Sequence, residues 1–437
     1  MVQIVVFKML VYLRAVYFTL KTINFNRMKK LVLFIFIVLS SVAYSQDFLT
    51  KKGMKLELSG FVRNDFIFDT HENVDACDHL LDLFPKRPVY DANGEDITAH
   101  ASAHFLNTFT RFGTRFSGLE LMNANISAYV EVDFTGGTAT NSLRFRHAYT
   151  LFQWERTKLL FGRTWHPTFI EKVYPSTLHE NTGLPFQVFN RSPQVRVTYS
   201  LNDKLDFIAA AVYQFKYANS GPNGKSYEYQ RNAVVPNLHA QLQYYDANWV
   251  LGAALDWKMI QPRTFSEGTA GIFKADEKLS TFSAIAYLKY TKDKFLFKAK
   301  SMYGQNVCES LLPSGYAVAS VDSRTGAETY TPFNHIYNWV NFTYGSEWRV
   351  GLFVGHLKNL GTSENPVGAI YGFSSDIDMI YKIAPQLIYN YKNFMFGWEM
   401  SLTTAAYGEN DFSDKAKVIN TDNVSNFRNM ISVAYNF

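Results

Sequence analysis

Past residue 45 the 437-residue chain has no run of apolar residues long enough to cross a bilayer as a helix, which takes about 20. Two cysteines, Cys77 and Cys308, are too few for a disulfide scaffold. No Pro-, Ser- or Gly-rich stretch and no shift in composition marks a boundary between soluble domains. There is no G-x-S-x-G elbow, and no Ser, His and acid fall on neighbouring segments in a way that suggests nucleophilic catalysis. The first 45 residues contain no Asp or Glu.

That acid-free stretch divides at Met28. From there MKKLVLFIFIVLSSVAYSQ has a charged start at Lys29 and Lys30, an apolar run over 31–39, and Ala43-Tyr44-Ser45 before Gln46. This pattern predicts a cleaved signal peptide over 28–45. Residues 1–27 then precede a complete signal and are read as an upstream start assigned too early, leaving 46–437 as a single domain. Six basic residues leave with the leader (Lys8, Arg14, Lys21, Arg27, Lys29, Lys30), so the 43 Lys and Arg become 37 against 38 Asp and Glu. A nearly neutral chain without a clustered basic helix or finger motif excludes a nucleic-acid partner.

Aromatic residues are abundant instead, at 16% with 27 Tyr and 37 Phe. High aromatic content without apolar helices, in an exported chain, fits a transmembrane β-barrel, whose lipid-facing residues alternate and whose rims carry aromatic girdles. Sixteen alternating segments can be counted, centred near Val62, Phe112, Val130, Phe145, Phe161, Val197, Ala211, Leu242, Ala253, Ala286, Ala299, Phe342, Leu352, Ile383, Trp398 and Val433. Their connections alternate in length. Long ones run over about 70–104, 166–193, 216–232, 259–277, 304–335 and 405–423. Tight ones such as LNDK, YDAN, TKDK and NYKN have hairpin-turn chemistry. The fold expected is all-β: a transmembrane antiparallel barrel of about sixteen strands with short periplasmic turns and long external loops. Closure removes the unpaired edge that a sheet in lipid cannot tolerate, and the alternating NMISVAYNF ending on Phe437 supplies the last strand.

Alternation assigns faces. In SLRFRHAYTLFQW, Leu143, Phe145 and Tyr149 alternate with Arg144, Arg146 and Thr150, and His147 falls on the apolar parity. An arginine turned to lipid at the midplane costs about 2–4 kcal/mol, so Arg144 and Arg146 must face inward. The same parity turns Arg111, Arg115 and Arg196 inward. In NISAYVEVDF it sends Ile126, Ala128, Val130, Val132 and Phe134 outward, and Ser127, Glu131 and Asp133 inward. Unpaired ions in a dry interior cost several kcal/mol each, so a water-filled lumen is expected. About sixteen strands is the size at which such a channel opens. The alternative, that these arginines only tie strands together through Glu131 and Asp133, stays open for each of them.

SLRFRHAYTLF, LLFGRTWHPTF and RSPQVRVTYSL resemble segments of the sixteen-stranded trimeric outer-membrane porins, in particular the DcaP-like family, over about residues 60–201. The resemblance implies an external third loop folded into the pore over about 166–193. Its acidic positions, here Glu171 and Glu180, would face the pore-lining Arg111, Arg115, Arg144, Arg146 and Arg196. It further implies a homotrimer in the outer membrane of a Gram-negative bacterium, passing small hydrophilic solutes and favouring anions such as dicarboxylates, with no cofactor and no enzymatic activity. One departure stands out: only about residues 46–53 precede the first strand, too few for the helical periplasmic extension of that family.

His71, Glu72, Asp75, Cys77, Asp78 and His79 cluster in the first long loop, but without a repeated ligand spacing they read as a solvated acidic loop and no metal is expected. A disulfide between Cys77 and Cys308 is chemically allowed. Glu131 and Asp133, roughly 7 Å apart by strand rise, would suit an inverting glycosidase, yet read better as lumen lining. An outer-membrane β-barrel enzyme and a soluble exported β-rich binding protein are the alternative functions.

Overall fold

The computed structural model describes residues 53–77, 79–136 and 142–437; the leader assigned to 1–45 and Asp78 lie outside the described residues. The chain divides into two compact units, and the larger, Glu57–Phe116 with Glu120–Phe437, holds the site and all but a few residues of the sheet.

Sixteen long strands form one antiparallel sheet that closes on itself. They are β1 Lys55–Asp69, β2 Arg111–Leu121, β3 Ala124–Asp133, β4 Arg144–Gln153, β5 Thr157–Trp165, β6 Arg191–Asn202, β7 Leu205–Val212 and β8 Asn237–Tyr245, followed by β9 Trp249–Ile260, β10 Leu279–Lys292, β11 Phe295–Gln305, β12 Glu328–Gly345, β13 Trp348–Thr362, β14 Ile377–Tyr391, β15 Phe394–Asp411 and β16 Lys417–Asn436. Each contains one of the sixteen expected centres. The closing pair runs from Phe61 opposite Asn436 to Asp69 opposite Arg428. A short strand, Ser102–Leu106, prolongs the line of β2 against β1.

These residues form strands because β-branched and aromatic side chains recur at every second position, a pattern that satisfies lipid on one face only. Along β16 exposed Phe427, Ile431, Val433 and Tyr435 alternate with buried Arg428, Met430, Ser432 and Ala434. Exposed Val62, Phe112, Phe161, Leu242, Leu255, Ile383 and Trp398 continue the apolar belt around the wall. The tight turn between β2 and β3 uses the left-handed conformations that match strand twist: Met122 and Asn123 have φ of 52° and 60°.

Two expectations change. The connection placed over 405–423 is only 412–416, because β15 and β16 stay paired out to Asp411 opposite Lys417. Strands that rise beyond lipid need no apolar alternation, so the pattern understates their length. In β4 a bulge shifts the register against β3: Glu131 lies opposite His147, but Val132 lies opposite Phe145. The extra residue, Arg146, puts two successive side chains on one side. Arg146 and His147 are therefore both buried, where parity had left His147 on the oily face. The parity beyond it reverses. Tyr149 lies opposite and beside Tyr129, whose hydroxyl donates to Glu131, and Thr150 lies opposite the exposed Phe161.

The interior is not water throughout. A dry apolar cluster joins the loop residues Leu81, Leu83, Phe84, Ile170, Val173, Leu184, Phe186 and Phe189 to Tyr287, Met302, Tyr337, Trp339, Phe353, Leu357 and Ile380 on the inner face of the wall strands.

Candidate functional site

One inner face of the barrel is built from arginines on the early strands. On β1 the Arg63 Nε donates to Asp65 Oδ1 at 2.8 Å, its Nη1 to Glu180 Oε1 at 2.8 Å and its Nη2 to the Leu178 carbonyl at 2.8 Å. On β2 the Arg111 Nη2 donates to Glu180 Oε2 at 3.2 Å, so both oxygens of Glu180 are held by wall cations. Arg115 lies over the Tyr129 ring at 4.9 Å and has no carboxylate partner among the described residues. Arg144 makes a two-point contact with Asp133 at 3.1 and 2.8 Å. Arg146 donates to Glu131 at 2.6 Å and to Asp133 at 2.7 Å. On β6 Arg196 reaches Glu171 at 3.5 Å. Its Nε donates to Gln194 at 3.0 Å and its Nη2 to the Trp165 carbonyl at 2.5 Å.

The expected residues thus separate into two groups. Arg111 and Arg196 meet the acids of the third loop. Arg144 and Arg146 instead pair with Glu131 and Asp133 across β3 and β4, so these two tie strands together. Asp133 is fully buried and Arg146 is 2% exposed, and a pair so desolvated survives only with near-complete hydrogen bonding. Arg63 joins the site unannounced, although it alternates with Val62 as Arg111 does with Phe112. Arg191 is also new. Its guanidinium lies 3.6 Å over Trp165 and 4.8 Å from Phe189, with Nε and Nη2 unpartnered among the described residues.

The acids come from loop 3, residues 166–190, which joins β5 and β6. Its backbone is pinned by side chains of the far strands. Lys298 donates to the Tyr174 carbonyl at 2.8 Å and Ser176 Oγ at 2.7 Å. Lys300 donates to the Thr168 carbonyl at 2.5 Å and Gln187 Oε1 at 3.0 Å. The Ser176 N–H donates to Asn341 Oδ1 at 2.8 Å, and the Leu178 N–H to Glu399 Oε2 at 2.7 Å. A loop away from bulk water must satisfy its backbone somewhere, and here β11, β12 and β15 supply the partners.

A second anchor sits in the first long loop. Asp82, 2% exposed, accepts from Lys382 at 2.8 Å and Asn181 at 2.8 Å, and lies 3.1 Å from His179 and 3.3 Å from Arg428. Arg428 in turn grips Asp69 at 2.8 Å through two nitrogens. Burial works to raise the Asp82 carboxyl, but Lys382, Arg428 and His179 outweigh it and hold it well below the usual range. Burial, with Arg428 and Lys382 beside it, pushes His179 down to about 4 against the pull of Asp82. The charge pattern in sequence gives no hint of this hub, because Asp82, His179 and Lys382 are far apart in the chain.

The disulfide that the sequence allows is not formed. Cys77 and Cys308 are free thiols: Cys77 accepts from Arg144 Nη1 at 3.2 Å, while Cys308 is buried and accepts from Asn219 at 3.3 Å. In the first loop His79 stacks on His104 at 4.4 Å and pairs with Asp75; no metal-binding group of three or more ligands occurs among the described residues.

Solved structures share this architecture. The outer-membrane channel DcaP of Acinetobacter baumannii superposes with a TM-score of 0.64 at 18% identity, over 89% of this chain and 98% of that one. The chain has the outer-membrane porin fold. OmpT of Vibrio cholerae in its trimer form matches with a TM-score of 0.51 at 11% identity, over 88% of this chain and 100% of that one. Salmonella typhi OmpF, solved with daunomycin, matches with a TM-score of 0.52 at 12% identity, over 89% and 99%. No family model and no curated protein matches the sequence. The porin fold therefore emerges from shape rather than from closely related sequence.

Proposed function

We propose that the protein is an outer-membrane porin through which small hydrophilic solutes diffuse passively, with anions such as dicarboxylates favoured. The observation that carries this reading is the contact of Glu180 with Arg63 and Arg111: an acid on loop 3 meets a basic barrel wall inside a closed barrel. Charges of opposite sign facing one opening create a transverse field that orients solutes and sets ion preference. Arg115 and Arg191, which have no carboxylate partner among the described residues, leave that wall with an excess of positive charge, and this supports anion preference.

In this reading Arg63, Arg111, Arg115 and Arg196 line the pore and loop 3 narrows it through Glu171 and Glu180. The apolar belt contacts lipid of the outer membrane of a Gram-negative bacterium. Residues 28–45 direct export and are removed, and three copies assemble, as the trimer form of OmpT supports by shared fold. No catalytic role is assigned to any residue. The test is a planar bilayer with the purified protein under a potassium chloride gradient. Stepwise conductance with a reversal potential on the anion side is expected; absence of conductance overturns the channel, and a cation-side potential overturns the preference.

A further inference from the structure

Loop 3 leaves a cavity of about 170 Å³ on the side of the tight turns, bounded by β5 to β8. Its charged lining is Lys158, Glu171, Lys172, Arg196 and Asp206. Glu171 and Arg196 pair with each other. The other three do not pair, although they face one small space. Among the described residues Asp206, 7% exposed, accepts only from neutral hydroxyls, Ser200 at 2.8 Å and Tyr245 at 3.4 Å. Lys158 and Lys172 have no carboxylate within ion-pair distance among the described residues.

Tyr245 explains how opposite charges stay apart. Its hydroxyl donates to Asp206 while the Lys172 ammonium lies 4.4 Å over its ring, so one aromatic side chain touches both groups without joining them in an ion pair. Lys158 and Lys172 are exposed to the cavity, whereas Asp206 is buried, and a buried carboxylate without a cation beside it is costly unless one reaches it. A simple anion entering here meets Asp206 and Glu171, and a simple cation meets Lys158, Lys172 and Arg196. A neutral solute leaves both ions unpaired. Only a solute with both charges close together satisfies the two sides at once.

We propose that this cavity binds a small zwitterionic solute, a free α-amino acid, its carboxylate held by Lys158 and Lys172 and its ammonium by Asp206. The proposal rests on reading the barrel as a diffusion channel, within which it adds a selective step.

The test compares three solutes of equal carbon number, alanine, lactate and propane-1,2-diol, in swelling of liposomes containing the full protein. Alanine is expected to enter several-fold faster than propane-1,2-diol. Asp206→Asn, which keeps an acceptor for Ser200 and Tyr245, and Lys172→Gln should each remove most of that advantage. Rates are taken as ratios within one preparation, so a smaller folded fraction cancels. Alanine no faster than propane-1,2-diol overturns the site while leaving the channel intact. Lactate outpacing alanine, with the excess lost in K172Q but not D206N, makes it an anion site and overturns the zwitterion. Failure of propane-1,2-diol to enter at all removes the channel and the proposal with it.

Discussion

Phe186 of loop 3 occupies the space that a side chain at Gly355 would fill: a Cβ there would lie 2.2 Å from Phe186 Cδ2. Leu178 and Gly397 repeat the arrangement, with a Cβ 2.4 Å from Leu178 Cδ1. Both glycines sit on the inner face, Gly355 opposite Trp339 and Lys382, Gly397 opposite Ser432. The wall is thus notched to receive the loop.

Filling a notch should dislodge the loop. Overpacking of a fitted core costs about 1–3 kcal/mol, and Gly355→Leu concentrates that cost on Phe186. We expect an altered single-channel conductance, and the same direction of change for Gly397→Leu at the second notch. Conductance equal to that of the parent protein in both variants would mean that the loop does not set the passage.

Glu180→Gln removes the acid that accepts a hydrogen bond from Arg111 and leaves both wall arginines in place. The reversal potential should move further toward anions. Arg111→Gln should move it the other way, and the pair of shifts is read in one salt gradient.

Arg146 and Arg115 look equivalent in sequence but should differ in stability. Removing Arg146 leaves Asp133 and Glu131 with a lost partner in a desolvated place, a loss of about 3–5 kcal/mol. Arg115→Met breaks no ion pair. The midpoint of the heat-induced gel shift of the folded barrel should fall clearly for Arg146→Met and little for Arg115→Met.

Acid should loosen the hub around Asp82. His179 has a folded value of about 4 against an unfolded value near 6.5, so the unfolded chain takes up a proton that the folded one refuses. Its contribution is complete above about pH 6.5 and is lost as pH falls through about 4. The depressed Asp82 carboxyl works in the same direction, at lower pH. The protection factors of loop 3 amides, corrected for the intrinsic pH dependence of exchange, should therefore fall on acidification from pH 7 to 4, and protection that rises would reverse the sign.

The free thiols give a simple check. Cys77 is partly exposed and Cys308 buried, so a maleimide should label Cys77 first and Cys308 only after unfolding. Migration of the unfolded chain should be the same with and without reductant.

Much of the barrel was legible because lipid imposes a strict rule. A strand in hydrocarbon must keep one apolar face, and that period survives in any single sequence. The rule weakens where lipid ends, which is why the outward reach of β15 and β16 was missed. It also fails at a bulge. One additional residue, Arg146, exchanges the faces of every residue after it in β4, and nothing in the composition of RFRHAY distinguishes a bulged strand from a regular one.

Sequence alone determined the strand number, the alternation of long and short connections and the inward direction of Arg111, Arg115, Arg144, Arg146 and Arg196, since each follows from the cost of placing polar groups in lipid. Only the tertiary structure decided which arginines meet loop 3 and which pair across β3 and β4. It alone brought Asp82, His179, Lys382 and Arg428 together and set Asp206 apart from Lys172 across Tyr245. These depend on distances between segments far apart in the chain, and a periodic pattern carries no information about them.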